Sequence, residues 1–184
     1  MKKIILILAL LMPVFTYSQE TENKDQTTYE KFTSSIGYIV KYYNYTLPNL
    51  PSTYDLASVV VRKVISEGDE SLCFLRIEFT RYEGSTQSAF IAENDLVEMK
   101  KALEELISLS ASDGTGDADY LENKFRIKDG SCIGYYIAKN KSSDKKSTWY
   151  FDINGRNNGT LYFSSPDALL NCFSEAIAKI EAIK

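Results

Sequence analysis

The sequence predicts an α+β fold made of two consecutive ββββα units, antiparallel sheets with two amphipathic helices packed on them. Three observations carry this. Short runs of Val, Ile, Tyr and Phe alternate with polar residues at the period of two that separates the faces of a strand. Two longer stretches, one in the middle and one at the C-terminus, carry apolar residues at helical spacing. The order strand, turn, strand, helix occurs twice, in LCFLRIEFTRYEGSTQSAFIAENDLVEMKKALEELIS and in STWYFDINGRNNGTLYFSSPDALLNCFSEAIAKI.

The chain opens with a segment that fold reasoning sets aside. Lys2 and Lys3 form a basic start, residues 4–15 an apolar run, and Thr16-Tyr17-Ser18 a small-x-small cleavage site, so residues 1–18 read as a bacterial-type signal peptide that leaves Gln19 at the new N-terminus. The apolar run has 12 residues, where a span needs about 20. Cleavage would leave 166 of the 184 residues and lower the basic count from 21 to 19, against 25 acidic residues. Such a length gives one domain with an ordinary core. An acidic balance removes the counterion-release term that drives nucleic-acid binding and the attraction to anionic membrane surfaces. The expectation is an exported protein, periplasmic or extracellular, with no membrane span after cleavage and no nucleic-acid partner.

Residues 19–31 are polar, lack a period and read as a flexible leader, so the domain is expected over 32–184. Its halves are 32–109 and 118–184. The first strand is placed at 36–45, IGYIVKYYNY, and is closed off by Pro48 and Pro51. A β-branched run over 56–66 gives the second. In the third, Cys73, Leu75, Ile77 and Phe79 alternate with Phe74, Arg76, Glu78 and Thr80, giving a buried and a wetter face. After the turn at Glu83-Gly84-Ser85, the fourth occupies 86–92.

The first helix is expected to begin at Asn94 or Asp95 as N-cap, with Glu98 at capping-box spacing from Asp95. Leu96, Met99, Leu103, Leu106 and Ile107 form its stripe. Residues 110–119, SASDGTGDAD, read as an acidic Gly/Asp linker. An EF-hand would require Glu eleven residues after Asp113, and that residue is Lys124. Strands then follow over 120–128, 131–139, 147–153 and 159–164. Ser165 is the expected N-cap and Pro166 the first residue of the last helix, with Leu169, Leu170, Phe173, Ala176, Ile177 and Ile180 as its stripe. An offset of 72 aligns Ile77 with Trp149 and Phe79 with Phe151; an offset of 73 aligns Phe90 with Phe163 and Leu96 with Leu169.

Two ββββα units over residues 36–184 resemble the Whirly family of single-stranded-DNA-binding proteins, a resemblance carried by element order. It implies sheets that splay outward with helices packed together between them. The Lys-Gly-Lys-type binding motif of that family has no counterpart here, so the layout is carried over and single-stranded nucleic-acid binding stands only as a second alternative function.

The absence of histidine removes the usual partner of a serine or cysteine nucleophile and the commonest metal ligand, so no cofactor, metal site or catalytic residue is assigned. Cys73, Cys132 and Cys172 lie in apolar runs without CxxC spacing, and no disulfide pairing among them follows from sequence. Glu78 and Asp152, acids within apolar strands, are the candidates for an alternative reading as a carboxylate hydrolase with a cleft between the halves. Tyrosine is frequent, with 13 residues, clustered as Tyr38, Tyr42, Tyr43 and Tyr45 and again as Tyr135, Tyr136, Trp149, Tyr150 and Tyr162. Amphipathic rings on an open sheet face can stack on sugars or pack a partner protein. The function expected is a non-catalytic binding or structural module for a protein or glycan ligand, with Tyr38, Tyr42, Tyr43 and Tyr45 as the contact residues.

Overall fold

In the computed structural model, residues 26–34, 37, 39–66, 70–81, 83–114, 116–139, 147–153 and 159–184 are described. Residues 1–18, read as a signal peptide, and Tyr38 lie outside them. The order is α1 (Thr28–Thr33), β1 (Lys41–Pro51), β2 (Leu56–Ile65), β3 (Ser71–Thr80), β4 (Thr86–Ala92), α2 (Glu93–Ser112), β5 (Tyr120–Arg126), β6 (Cys132–Ala138), β7 (Thr148–Asp152), β8 (Thr160–Phe163) and α3 (Asp167–Ile183). β1-β2-β3-β4 and β5-β6-β7-β8 form two antiparallel meanders, each followed by a long helix. This is the α+β architecture of two ββββα units, with α1 added.

The inner faces of both sheets and the apolar stripes of α2 and α3 form one continuous core. Leu96, Met99 and Leu103 of α2 and Leu169, Phe173, Ala176 and Ile180 of α3 are fully buried. Each of these side chains except Ala176 contributes about 1.5–3 kcal/mol of burial. The helices touch one another and reach across: α2 packs on β5 and β6 as well as β3 and β4, and α3 packs on β1 and β2. The Phe151 and Phe173 rings, 6.5 Å apart, join α3 to the second sheet. Neither half closes its core alone. No helix among the described residues is long and apolar enough to cross a membrane.

Several local expectations are corrected. β1 starts at Lys41 and runs through Pro48, with a register shift between Leu47 and Leu50. Proline is tolerated there because β1 is an edge strand and the irregularity absorbs the missing amide. α2 has no side-chain N-cap, since β4 passes into it at Ala92 with no intervening loop. Its first-turn acid Glu93 answers the helix dipole instead. The last helix takes Pro166 as its cap position, and Ser165 Oγ accepts from the Asp167 amide at 3.3 Å. Phe90 is not the counterpart of Phe163: Ile77 pairs with Ala89 and Trp149 pairs with Phe163. Phe90 therefore points outward where Phe163 points inward, and the second hairpin is two residues longer than the first.

The largest addition is α1, in a stretch whose polarity predicts no element. Thr27 and Glu30 form a capping box. The Thr28 amide donates to Asp129 Oδ2 at 3.0 Å, 101 residues away. Tyr29 stacks on Phe90 at 3.8 Å and meets Phe74 edge-on at 5.2 Å, and Arg62 donates to its hydroxyl at 2.8 Å. Phe74 is thereby fully buried on the face that alternation marks as wet.

At the corner where α1 meets the β5–β6 turn, burial, then Asp129 and Glu98, raises the Asp95 carboxyl above its ordinary value. A carboxyl raised on folding penalises the native state where it is ionised, and the penalty disappears as pH falls through the folded value. Asp95→Asn should therefore raise the thermal midpoint at neutral pH and lose that advantage in acid; a gain that persists unchanged at low pH would contradict this assignment.

Candidate functional site

The outer faces of the two sheets differ. Tyr42, Arg62, Phe74, Arg76 and Phe90 occupy that of the first, where Tyr29 of α1 stacks on Phe90, meets Phe74 and accepts from Arg62. Arg62 sits 5.4 Å from both the Tyr42 and Phe90 ring centres, and Arg76 sits 5.8 Å from Phe90. The second sheet has no covering element among the described residues. Its outer face forms a shallow hollow of about 180 Å³ lined by Tyr120, Glu122, Lys124, Arg126, Cys132, Tyr136, Tyr150, Asp152, Thr160 and Tyr162.

Strand alternation builds this surface. In β5, Tyr120, Glu122, Lys124 and Arg126 face outward, while Leu121 and Phe125 pack against the core. In β6 the small outward residue Gly134 lies between Cys132 and Tyr136, and β7 sends Tyr150 across it. The Tyr150 hydroxyl donates to Glu122 Oε1 at 2.5 Å. A Cβ at Gly134 would lie 2.4 Å from the Asn123 carbonyl oxygen and 2.8 Å from the Tyr150 hydroxyl, so this crossing requires glycine. Burial, followed by the bond to Glu122, pushes the Tyr150 phenol far up, and it remains a donor across the physiological range. The Tyr120 and Tyr136 rings stack at 5.7 Å and 27°, with Tyr120 51% exposed. β8 is anchored from the first half: Thr53 donates its amide to the Tyr162 carbonyl at 2.7 Å, and Arg81 donates to the Thr160 carbonyl at 2.5 Å and to Asp55 at 3.0 Å.

Chemically, the face offers rings with polar groups beside them. Lys124 lies 3.5 Å from Glu122, and Arg126 donates to the Gly130 carbonyl at 2.7 Å. Burial raises the Cys132 thiol, which stays protonated and a poor nucleophile. Among the described residues no group of three or more His, Cys, Asp or Glu is placed to hold a metal ion. The three cysteines are buried and unbridged.

The first-strand tyrosines do not form one patch. Tyr42 shares the outer face with its partner Val64, whereas Tyr43 and Tyr45 lie on the inner side, paired with Lys63 and Val61. Lys179 Nζ stands 5.1 Å over the Tyr45 ring. The second cluster also divides: Tyr135 and Trp149 are core residues 4.9 Å apart, and Tyr136, Tyr150 and Tyr162 face out. Glu78 pairs with Arg76 on the first sheet, and Asp152 lies on the second, so these acids share no site. Tyr120, Glu122, Lys124 and Arg126 were not singled out from sequence. Their signal was the strict alternation of YLENKFR.

Compared with known proteins, the chain matches no family model, no curated protein and no solved structure.

Proposed function

We propose that the chain is an exported, non-catalytic binding module that holds an oligosaccharide on the outer face of its second sheet. The observation that supports this reading is the Tyr120–Tyr136 ring pair in a hollow that no element covers among the described residues, while on the corresponding face of the first sheet Tyr29 stacks on Phe90. A sugar ring presents an apolar C–H face and a rim of hydroxyls. Tyrosine rings answer the first, and Glu122, Asp152, Lys124, Arg126 and Thr160 surround them with donors and acceptors for the second. So shallow a face suits weak binding, with Kd of about 0.1–1 mM, or roughly −4 to −5.5 kcal/mol.

The test is an array of neutral and acidic oligosaccharides followed by titration of the hits. Tyr136→Ala and Tyr162→Ala should each weaken binding about tenfold or more, and Tyr42→Ser should leave it unchanged. Binding to none of the array, or binding indifferent to Tyr136 and Tyr162, would overturn the assignment.

A further inference from the structure

Each sheet has two edges, and three of the four are blunted. β8 is four residues long and its Tyr162 carbonyl is taken by Thr53. β5 carries Glu122, Lys124 and Arg126 along its length. β4 is flanked by α1 and turns directly into α2. Short strands, charges and covering elements are the ordinary means by which proteins prevent edge pairing.

Among the described residues, β1 has none of these over residues 41–47. Its prolines, Pro48 and Pro51, fall beyond that stretch, and Lys41 at its very start is the only charge. Lys41, Tyr42, Tyr43, Asn44 and Thr46 are exposed. Alternate amides and carbonyls of this edge project away from β2, ready to accept another strand.

We infer that the β1 edge is a self-association surface whose partner is β1 of a second copy of this chain. Antiparallel pairing about a two-fold axis at Asn44 joins the first sheets of two molecules into one sheet of eight strands. It sets Tyr43 opposite the second copy's Tyr45 on the inner side, Tyr42 opposite Thr46 on the outer side, and Asn44 opposite itself. Lys41 meets Leu47, so no like charges face each other, and aromatic residues directly opposite across strands favour the pairing. The register shift after Leu47 ends the ladder on both sides. An isologous contact of this kind closes on itself; with the other edges blunted, assembly stops at two. The second-sheet hollow remains open in both copies.

Sedimentation equilibrium of the purified chain at rising concentration tests this. The expected result is a monomer–dimer equilibrium, with protection of the 41–47 amides from deuterium exchange growing in step. Asn44→Glu keeps a partner for Arg62, which donates to Asn44 Oδ1 at 2.8 Å, but sets two carboxylates across the axis. It should weaken the dimer at least about tenfold with an unchanged circular dichroism spectrum. Asn44→Lys should weaken it likewise, and mixing the two variants should restore a one-to-one dimer. A chain that stays monomeric at the highest concentration, or a dimer indifferent to both variants and their mixture, overturns the inference.

Discussion

Asp113→Ala is expected to destabilise the fold by about 3 kcal/mol in urea titration, although its position is in the segment read from sequence as a linker. Asp113 closes α2, its amide donating to the Leu109 carbonyl at 3.0 Å. Its carboxylate accepts from Asn123 Nδ2 at 2.6 Å and from the Tyr135 hydroxyl. Asn123 Nδ2 also lies 2.8 Å from that hydroxyl, so the three groups form a closed set. Tyr135 is fully buried beneath the second sheet. Alanine at 113 leaves a buried phenol without its acceptor, for which about 1–3 kcal/mol is typical, and removes a charge-assisted bond of similar size. In a Tyr135→Phe background the same replacement should cost markedly less, since the orphaned hydroxyl is gone, and the double-mutant cycle isolates the coupling. A loss below about 0.5 kcal/mol for Asp113→Ala, the range of ordinary surface changes, would restore the linker reading.

The Tyr135 phenol is raised by burial and by its bond to Asp113, and that of Tyr150 by burial and Glu122. A phenol raised on folding favours the native state fully below its unfolded value, near 10, and loses that contribution as pH climbs toward the folded value. Stability should therefore fall above about pH 10.

Gly134→Ala should destabilise by about 2–3 kcal/mol, the upper part of the overpacking range. The added methyl meets a backbone atom, the Asn123 carbonyl oxygen, as well as the end of the Tyr150 ring. A side chain can swing aside; the β5 backbone can yield only by loosening its pairing with β6. Tyr150→Ala in the same chain should leave most of the loss in place, because the nearest obstacle is main chain. Full recovery in that double variant would show that the ring alone sets the requirement for glycine. Since Tyr150 and Glu122 floor the hollow, Gly134→Ala should also weaken oligosaccharide binding.

The parts of the fold legible in sequence were those written locally. β4 occupies residues 86–92 as its turn and alternation indicate, and Leu96, Met99, Leu103 and Leu106 are buried as helical spacing requires. What was illegible depends on partners distant in sequence. Nothing near Thr28 announces Asp129, and nothing near Phe74 announces Tyr29, so the coverage of the first sheet was hidden. Asp113 looked like a solvated loop acid because its partners, Asn123 and Tyr135, lie on two later strands. The Phe90–Phe163 alignment failed for a related reason: composition conserves an aromatic residue in the strand, while the length of the hairpin decides its face.

The site was half legible. Tyr136, Tyr150 and Tyr162 stood in an aromatic cluster, yet only strand register separates them from Tyr135 and Trp149. The charges of β5 carry no distinctive signal in sequence, because alternating polarity in a strand is the ordinary mark of a solvated face. Their significance comes from the contrast with the first sheet.

Nuclear magnetic resonance of the isotopically labelled chain, titrated with an oligosaccharide hit from the array, tests the second-sheet face most directly. The outer face of the second sheet predicts saturable shifts at the amides of Tyr120, Glu122, Tyr136 and Tyr162, with the first sheet undisturbed. Shifts centred on Tyr42, Arg62 and Phe90, or none at saturating sugar, would contradict it.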